Sequence, residues 1–271
     1  MRPATICLIN QKGGCGKSST CFHLAGAFAQ AGLNVLLIDT DPQGSLSRGF
    51  FGSELVESLP VEQTVAALLG EGSDLLVNDE RLIRPTVFDR ISICPCNHHA
   101  GPLNTPGPET TGLSQHALAE FTGRQRAFDI ILIDCPPNLY RCSWAAMIAA
   151  HWVIIPAPPE DFGTQGLRAV HQAIQNAHVL NPRVYCLGHL VTRSDRRLLI
   201  HRAYEQRLRE LYGDMVLDTV IPEASAFKVA VACRKPIQHH SPKSPASDLT
   251  ARLSREILDR ISVRNGQRHV A

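Results

Sequence analysis

Short runs of apolar residues recur along the chain: Ile6–Ile9, Val35–Ile38, Ile91–Cys94, the IILI of FDIILIDCPP, Trp152–Pro156, Val184–Val191 and Met215–Ile221. They are continuous rather than alternating, as expected of strands buried on both faces of a parallel sheet. Helical spacing falls between them. Lys17–Gln30 places Leu24, Ala25 and Phe28 on one face, Val61–Leu69 and Ser114–Phe121 have the same period, and longer helices are expected from Gly166 to about Leu180 and over Ser247–Ile261. Pro42, Gly44 and Gly49 in DPQGSLSRGF, the prolines and glycines of NHHAGPLNTPGPETTG, and APPEDFGTQG read as loops. This alternation predicts an α/β fold, a mostly parallel twisted sheet of about seven to eight strands flanked by helices. No period of ~20 to 50 residues repeats, which excludes a solenoid.

Length and composition add bounds. With 271 residues, 44% of them hydrophobic, the chain can bury a large core, and residues 1–262 read as a single domain followed by a short polar tail, 263–271. No run of ~18 apolar residues and no charged-then-apolar leader is present, so the expectation is a soluble, cytoplasmic protein. Nine scattered cysteines, three of them (Cys7, Cys94, Cys186) in strand-like stretches, look reduced and structural. Cys94 and Cys96 with His98 and His99 behind them match no zinc spacing and lack a second half. Charge is uneven: residues 1–192 carry 12 Lys+Arg against 16 Asp+Glu, and residues 193–271 carry 15 against 9. A basic C-terminal third suits an anionic polymer or surface, or simply a solvated face.

The candidate chemistry lies at the ends of the strands. ICLINQKGGCGKSS is a strand, a glycine loop and a helix start: Gly13, Gly14 and Gly16 allow tight turns that aim backbone N–H groups inward, where the helix dipole also favours phosphate. Lys17 would reach β and γ phosphates and Ser18 would hold Mg²⁺. Cys15 and Ser19 complete the loop. This is a P-loop, with the departure that Gln11 stands where glycine is usual and a second lysine, Lys12, opens the run. Two of the five lysines in the chain thus fall in one loop. Asp39 and Asp41 end the second strand, where ligands gather in open α/β sheets, and either could instead cap the next element. Asp134 ends FDIILID as a Walker B carboxylate able to hold a Mg²⁺-bound water.

KGGCGKSS, DTDPQG and DCPP together resemble the ParA/MinD family of deviant P-loop ATPases, and the likeness runs from about residue 4 to 262, closest to short chromosomal-type ParA/Soj members. The resemblance implies ATP and Mg²⁺ as cofactors, Lys12 supplied in trans across a homodimer with ATP sandwiched at its interface, and Asp41 orienting the attacking water. Catalysis would rest on Lys12, Lys17 and Asp41, with Ser18 and, through water, Asp134 on the metal. It places Thr192 and Asp195 near the base. It implies non-specific binding to double-stranded DNA, nucleoid association, a ParB-like adaptor that stimulates slow hydrolysis, and segregation or positioning of a cargo. IPEASAFKVAVACRKPI has the length of the family segment that contacts DNA, but Glu223 and Ala226 stand where an arginine is usual, so the DNA candidates are Arg193, Arg196, Arg197, Lys228 and Arg234. A MinD-like membrane ATPase is the alternative, with Leu249, Leu253, Ile257 and Ile261 of the last helix as the apolar stripe; the polar tail makes membrane anchoring the weaker reading. A likeness to the nitrogenase iron protein would need a cluster on Cys135 and Cys142, yet Cys135 is the usual cysteine of DCPP.

Overall fold

The computed structural model describes residues 3–70, 78–107, 112–159 and 164–268. Residues 108–111 of the proline-rich loop and 160–163 of APPEDFGTQG lie outside the described residues. Seven strands form one sheet: β1 Ala4–Leu8, β2 Val35–Asp39, β3 Arg84–Pro85, β4 Ile91–Cys94, β5 Ile130–Asp134, β6 Trp152–Ala157 and β7 Tyr185–Val191. Their order is β3-β4-β2-β5-β1-β6-β7, every pair parallel except the antiparallel edge β3–β4. The helices are α1 Lys17–Gln30, α2 Ser45–Phe51, α3 Ser53–Ser58, α4 Ala66–Leu69, α5 Asp79–Leu82, α6 Ala117–Arg124, α7 Arg141–Ala149, α8 Thr164–Ala177, α9 Leu199–Tyr212, α10 Ser225–Ala232, α11 Ile237–His240 and α12 Pro245–Arg268.

The apolar runs are buried on both sides, as continuous hydrophobicity requires. Ile6 and Leu8 of β1 face α1 and α12 with Leu24, Phe28, Leu253 and Ile257, whereas Cys7 meets the opposite core under α7 and α8 with Phe121, Met147 and Val170. The α12 stripe is therefore spent on the core: Leu253 and Ile257 are fully buried and Ile261 nearly so. No helix among the described residues is long and apolar enough to cross a membrane.

Four expectations change. DPQGSLSRGF is not a loop, because its second half forms α2. Asp39 reaches forward to accept from Ser47 N (2.9 Å) and Ser47 Oγ (2.7 Å), Gly44 starts the helix at φ 61°, and Gly49 leaves room for the Phe22 ring of α1. Met215–Ile221 is not a strand. Leu217 N and Ile221 N donate to His189 O and Val191 O, but Asp218 N and Thr219 N are taken by the Glu256 carboxylate of α12, leaving only isolated bridges. Val61–Leu69 breaks at Thr64, with a short 3-10 turn before it and α4 after it. The last helix runs on to Arg268, so residues 263–268 continue α12 instead of forming a tail.

Candidate functional site

Sheet register sets up the site. Leu8 of β1 and Asp39 of β2 both pair with Asp134 of β5, so the entry to the glycine loop and two carboxylates lie level at one carboxyl edge. Gly14 and Gly16 take φ 71° and 92°, a left-handed region open to glycine, and Gly16 caps α1 with no side chain occupying its first N–H groups. The uncapped helix start and its dipole suit an anion. Lys17 is buried, and its Nζ donates to the carbonyls of Asn10 (3.0 Å) and Lys12 (3.2 Å). Asn10 was not singled out by sequence reasoning. Its amide clamps the loop, donating to Pro156 O (2.6 Å) and accepting from Lys12 N (2.9 Å).

Three carboxylates crowd beneath this loop. Asp134 is fully buried, and neither of its oxygens has a hydrogen-bond partner in ordinary geometry. Burial and then the neighbouring Asp39 push its pKa well up, against the pull of the Ser18 hydroxyl and Lys17. Asp39 is also raised, chiefly by burial, while its bonds to Ser47 oppose the shift. It is thereby the capping residue of α2. Asp41, itself buried, lines the cavity described below, with Oδ1 accepting from Gln43 N (2.9 Å). An orphaned carboxylate beside a hydroxyl and under a helix start is the donor set of a hard divalent cation that keeps several waters, so these residues fit Mg²⁺.

The loop opens into a cavity of about 390 Å³. Gly13, Gly14, Cys15, Gly16, Lys17, Ser18, Ser19, Asp41 and Thr192 line it, whereas Lys12, Asp134 and Asp195 do not. Thr192 Oγ1 donates to Cys15 O (2.8 Å), and Arg193, held at φ 55°, donates from Nη1 to Gly14 O (2.9 Å). The segment after β7 is thus tied to the glycine loop, and Arg193 lines the cavity while its side chain stays 38% exposed. Asp195 is engaged with Arg197, accepting from its backbone and guanidinium, which holds its pKa down at about 2. Lys228 pairs with Glu223, which also accepts from Arg193. The rear wall, His23, Leu24, Phe227 and Leu253, was not anticipated. Its signal was present only as positions of α1, α10 and α12. Cys94 and Cys96 are buried, but His98 turns out to Glu57, so the CPC stretch gathers no metal-ligating group among the described residues.

The profile of a family described as an AAA domain matches residues 3–185. The chromosome-partitioning ATPase Soj of Thermus thermophilus is 32% identical over 94% of this chain and 96% of its own length. The chain belongs to the ParA/MinD family of ATPases. Within that family, the chromosome partitioning protein ParA of Caulobacter vibrioides is 31% identical over 94% of each chain. Cobyrinic acid a,c-diamide synthase from Mycobacterium smegmatis, solved with an ATP analog and magnesium, superimposes with a TM-score of 0.77 at 24% identity over 96% of both chains. That likeness concerns the fold. It accords with a ParA/MinD-type sheet of seven strands.

Proposed function

We propose that this chain is a ParA-like, Mg²⁺-dependent ATPase whose ATP-bound homodimer binds DNA without reading sequence and positions a cargo, reset by an adaptor that stimulates hydrolysis. The observation that carries the reading is the buried, unpaired Asp134 carboxylate beside Ser18 under an uncapped P-loop helix. Relatives named as a chromosome-partitioning ATPase and a chromosome partitioning protein, and a fold neighbour holding an ATP analog and magnesium, support it.

In this mechanism Lys17 exchanges the Asn10 and Lys12 carbonyls for β and γ phosphate oxygens. Ser18 and Asp134 would hold Mg²⁺, which would supply positive charge to the phosphate oxygens. Asp41 lines the cavity and orients the attacking water. Thr192 flanks the base. Lys12 is half-exposed at the mouth of the loop, where it can reach a partner subunit and neutralise charge developing in the transition state.

Steady-state turnover and light scattering with ATP and Mg²⁺ test the assignment. Lys17→Ala is expected to lose ATP binding, whereas Lys12→Ala keeps binding and loses hydrolysis. Asp41→Ala is expected to accumulate an ATP-bound dimer. Normal turnover by Lys12→Ala, or a monomeric Asp41→Ala at saturating ATP, would overturn the trans-lysine or the water-orienting role respectively.

A further inference from the structure

A second cluster lies on the opposite face of the sheet from α1. His171 of α8 and Cys186 and His189 of β7 bring one nitrogen or sulfur each to within 4.8 Å of one another. It depends on an irregularity in β7. Val153 pairs with Cys186 and Ile154 with Gly188, so β7 carries one extra residue there. In a regular strand positions 186 and 189 point to opposite faces; the bulge turns them to the same one, toward α8. The core assignments agree, since Cys186 and Val191 belong to the α8 side while Leu187 and Leu190 both belong to the α1 side.

Within the cluster, His171 Nε2 and His189 Nε2 are 3.0 Å apart. His189 is fully buried and its Nδ1 has no hydrogen-bond partner. Tyr212, from the end of α9, stacks on His171 with ring centroids 5.5 Å apart and packs on His189 at 4.2 Å. Two imidazoles and a thiol are three of the four donors of a borderline transition-metal ion, above all Zn²⁺.

We infer that His171, Cys186 and His189 form a binding site for a single Zn²⁺-class cation that ties α8 to β7. The two nitrogens part by a few tenths of an ångström to reach the ~3.3 Å separation of tetrahedral ligands at ~2.0 Å from the metal, and Cys186 Sγ, within 4.8 Å of them, closes to the ~3.5 Å that a sulfur ligand at ~2.3 Å requires. Burial pushes the Cys186 thiol up to about 12, so binding must displace its proton to solvent, which the charge of the cation drives. Among the described residues this is the one group with such spacing, and it is separate from the P-loop acids. The strand it fastens is the one that delivers Thr192 and Arg193 to the glycine loop.

The test uses the full chain, stripped with chelator and titrated with Co²⁺ as a spectroscopic stand-in. One equivalent is expected to give a thiolate-to-cobalt charge-transfer band with tetrahedral d–d absorption. Zn²⁺ is expected to bleach both and to raise Tm by on the order of 5 °C at ~100-fold excess over Kd. Cys186→Ser should abolish the charge-transfer band, and His171→Gln should weaken Co²⁺ binding at least ~10-fold. His171 is only half-buried, so its variant keeps the test readable should Cys186→Ser not fold. No band at one equivalent, or a band unchanged in both variants, would overturn the site.

Discussion

A carboxylate buried with only the neighbouring Ser18 hydroxyl to offset it, in no ordinary hydrogen-bond geometry, destabilises the chain that carries it, and Asp134 is held there because its use outweighs that cost. Asp134→Asn should therefore raise the Tm of the protein free of nucleotide and metal by a few degrees, the equivalent of ~1 kcal/mol, while removing Mg²⁺-dependent turnover. Differential scanning fluorimetry reads the first and phosphate release the second; a lower Tm would mean that Asp134 is a structural cap. His23 offers a pH dependence. Its Nδ1 accepts from Ile237 N (3.1 Å), its Nε2 is unpaired, and burial takes its pKa down to about 4. Folded pKa lies below unfolded, so the contribution of the neutral ring is complete above pH ~6.5 and is lost as pH falls toward 4, on the order of a few kcal/mol. Urea midpoints of wild type and His23→Gln should converge as pH drops through that window; parallel curves would contradict the assignment.

At the scale of elements, the strands with a purely local signal were legible and the contact-dependent segments were not. Val35–Asp39 and Ile130–Asp134 announce themselves as uninterrupted apolar runs, and the P-loop by spacing alone. α2 could not be read because three breakers lie around or within it. What makes it a helix is Asp39, six residues before its first residue, bonding Ser47, with Gly49 admitting the Phe22 ring. Met215–Ile221 misled for the mirror reason: its sequence suits a strand, but Glu256, far along the chain, takes its donors. In the site, the phosphate loop and acids were legible, whereas Asn10 and the Phe227 wall were not, since each acts through a partner more than ~100 residues away in sequence. The α2 account is testable at Gly44, where φ is 61° and a methyl group would meet Cys96 O at 2.6 Å. Gly44→Ala should cost more than ~2 kcal/mol in a urea titration. A neutral substitution would show that α2 does not need this turn.

For the molecule as a whole, the question is where a dimer would present positive charge to DNA. Three of the five residues proposed from sequence are engaged elsewhere: Arg193 on Gly14 O, Lys228 on Glu223, and Arg234 with its guanidinium against Gly52 between α2 and α3. Arg197 pairs with Asp195 but is 89% exposed, and Arg196 lines a surface groove with Arg252, Arg255 and Arg264 of α12. Arg209 and Arg260 of the same groove are already paired with Glu205 and Glu256, which leaves Arg196, Arg252, Arg255 and Arg264 without an ion pair among the described residues, Arg255 being bonded to Ala251 O. Charge that α12 and the loop after β7 bring together was visible only as a basic C-terminal third, because residues 196 and 252 are distant in sequence. If three such arginines per protomer neutralise phosphates, a dimer releases about six counterions. The slope of log K against log salt is then ~−5, a loss of roughly 10³-fold between ~50 and ~200 mM. Binding to two unrelated duplexes with ATP and Mg²⁺ should be equal, follow that slope, and weaken for Arg196→Glu and Arg252→Glu while Arg234→Glu stays near wild type. Sequence discrimination, or full binding by both groove variants, would move the DNA contact away from α12.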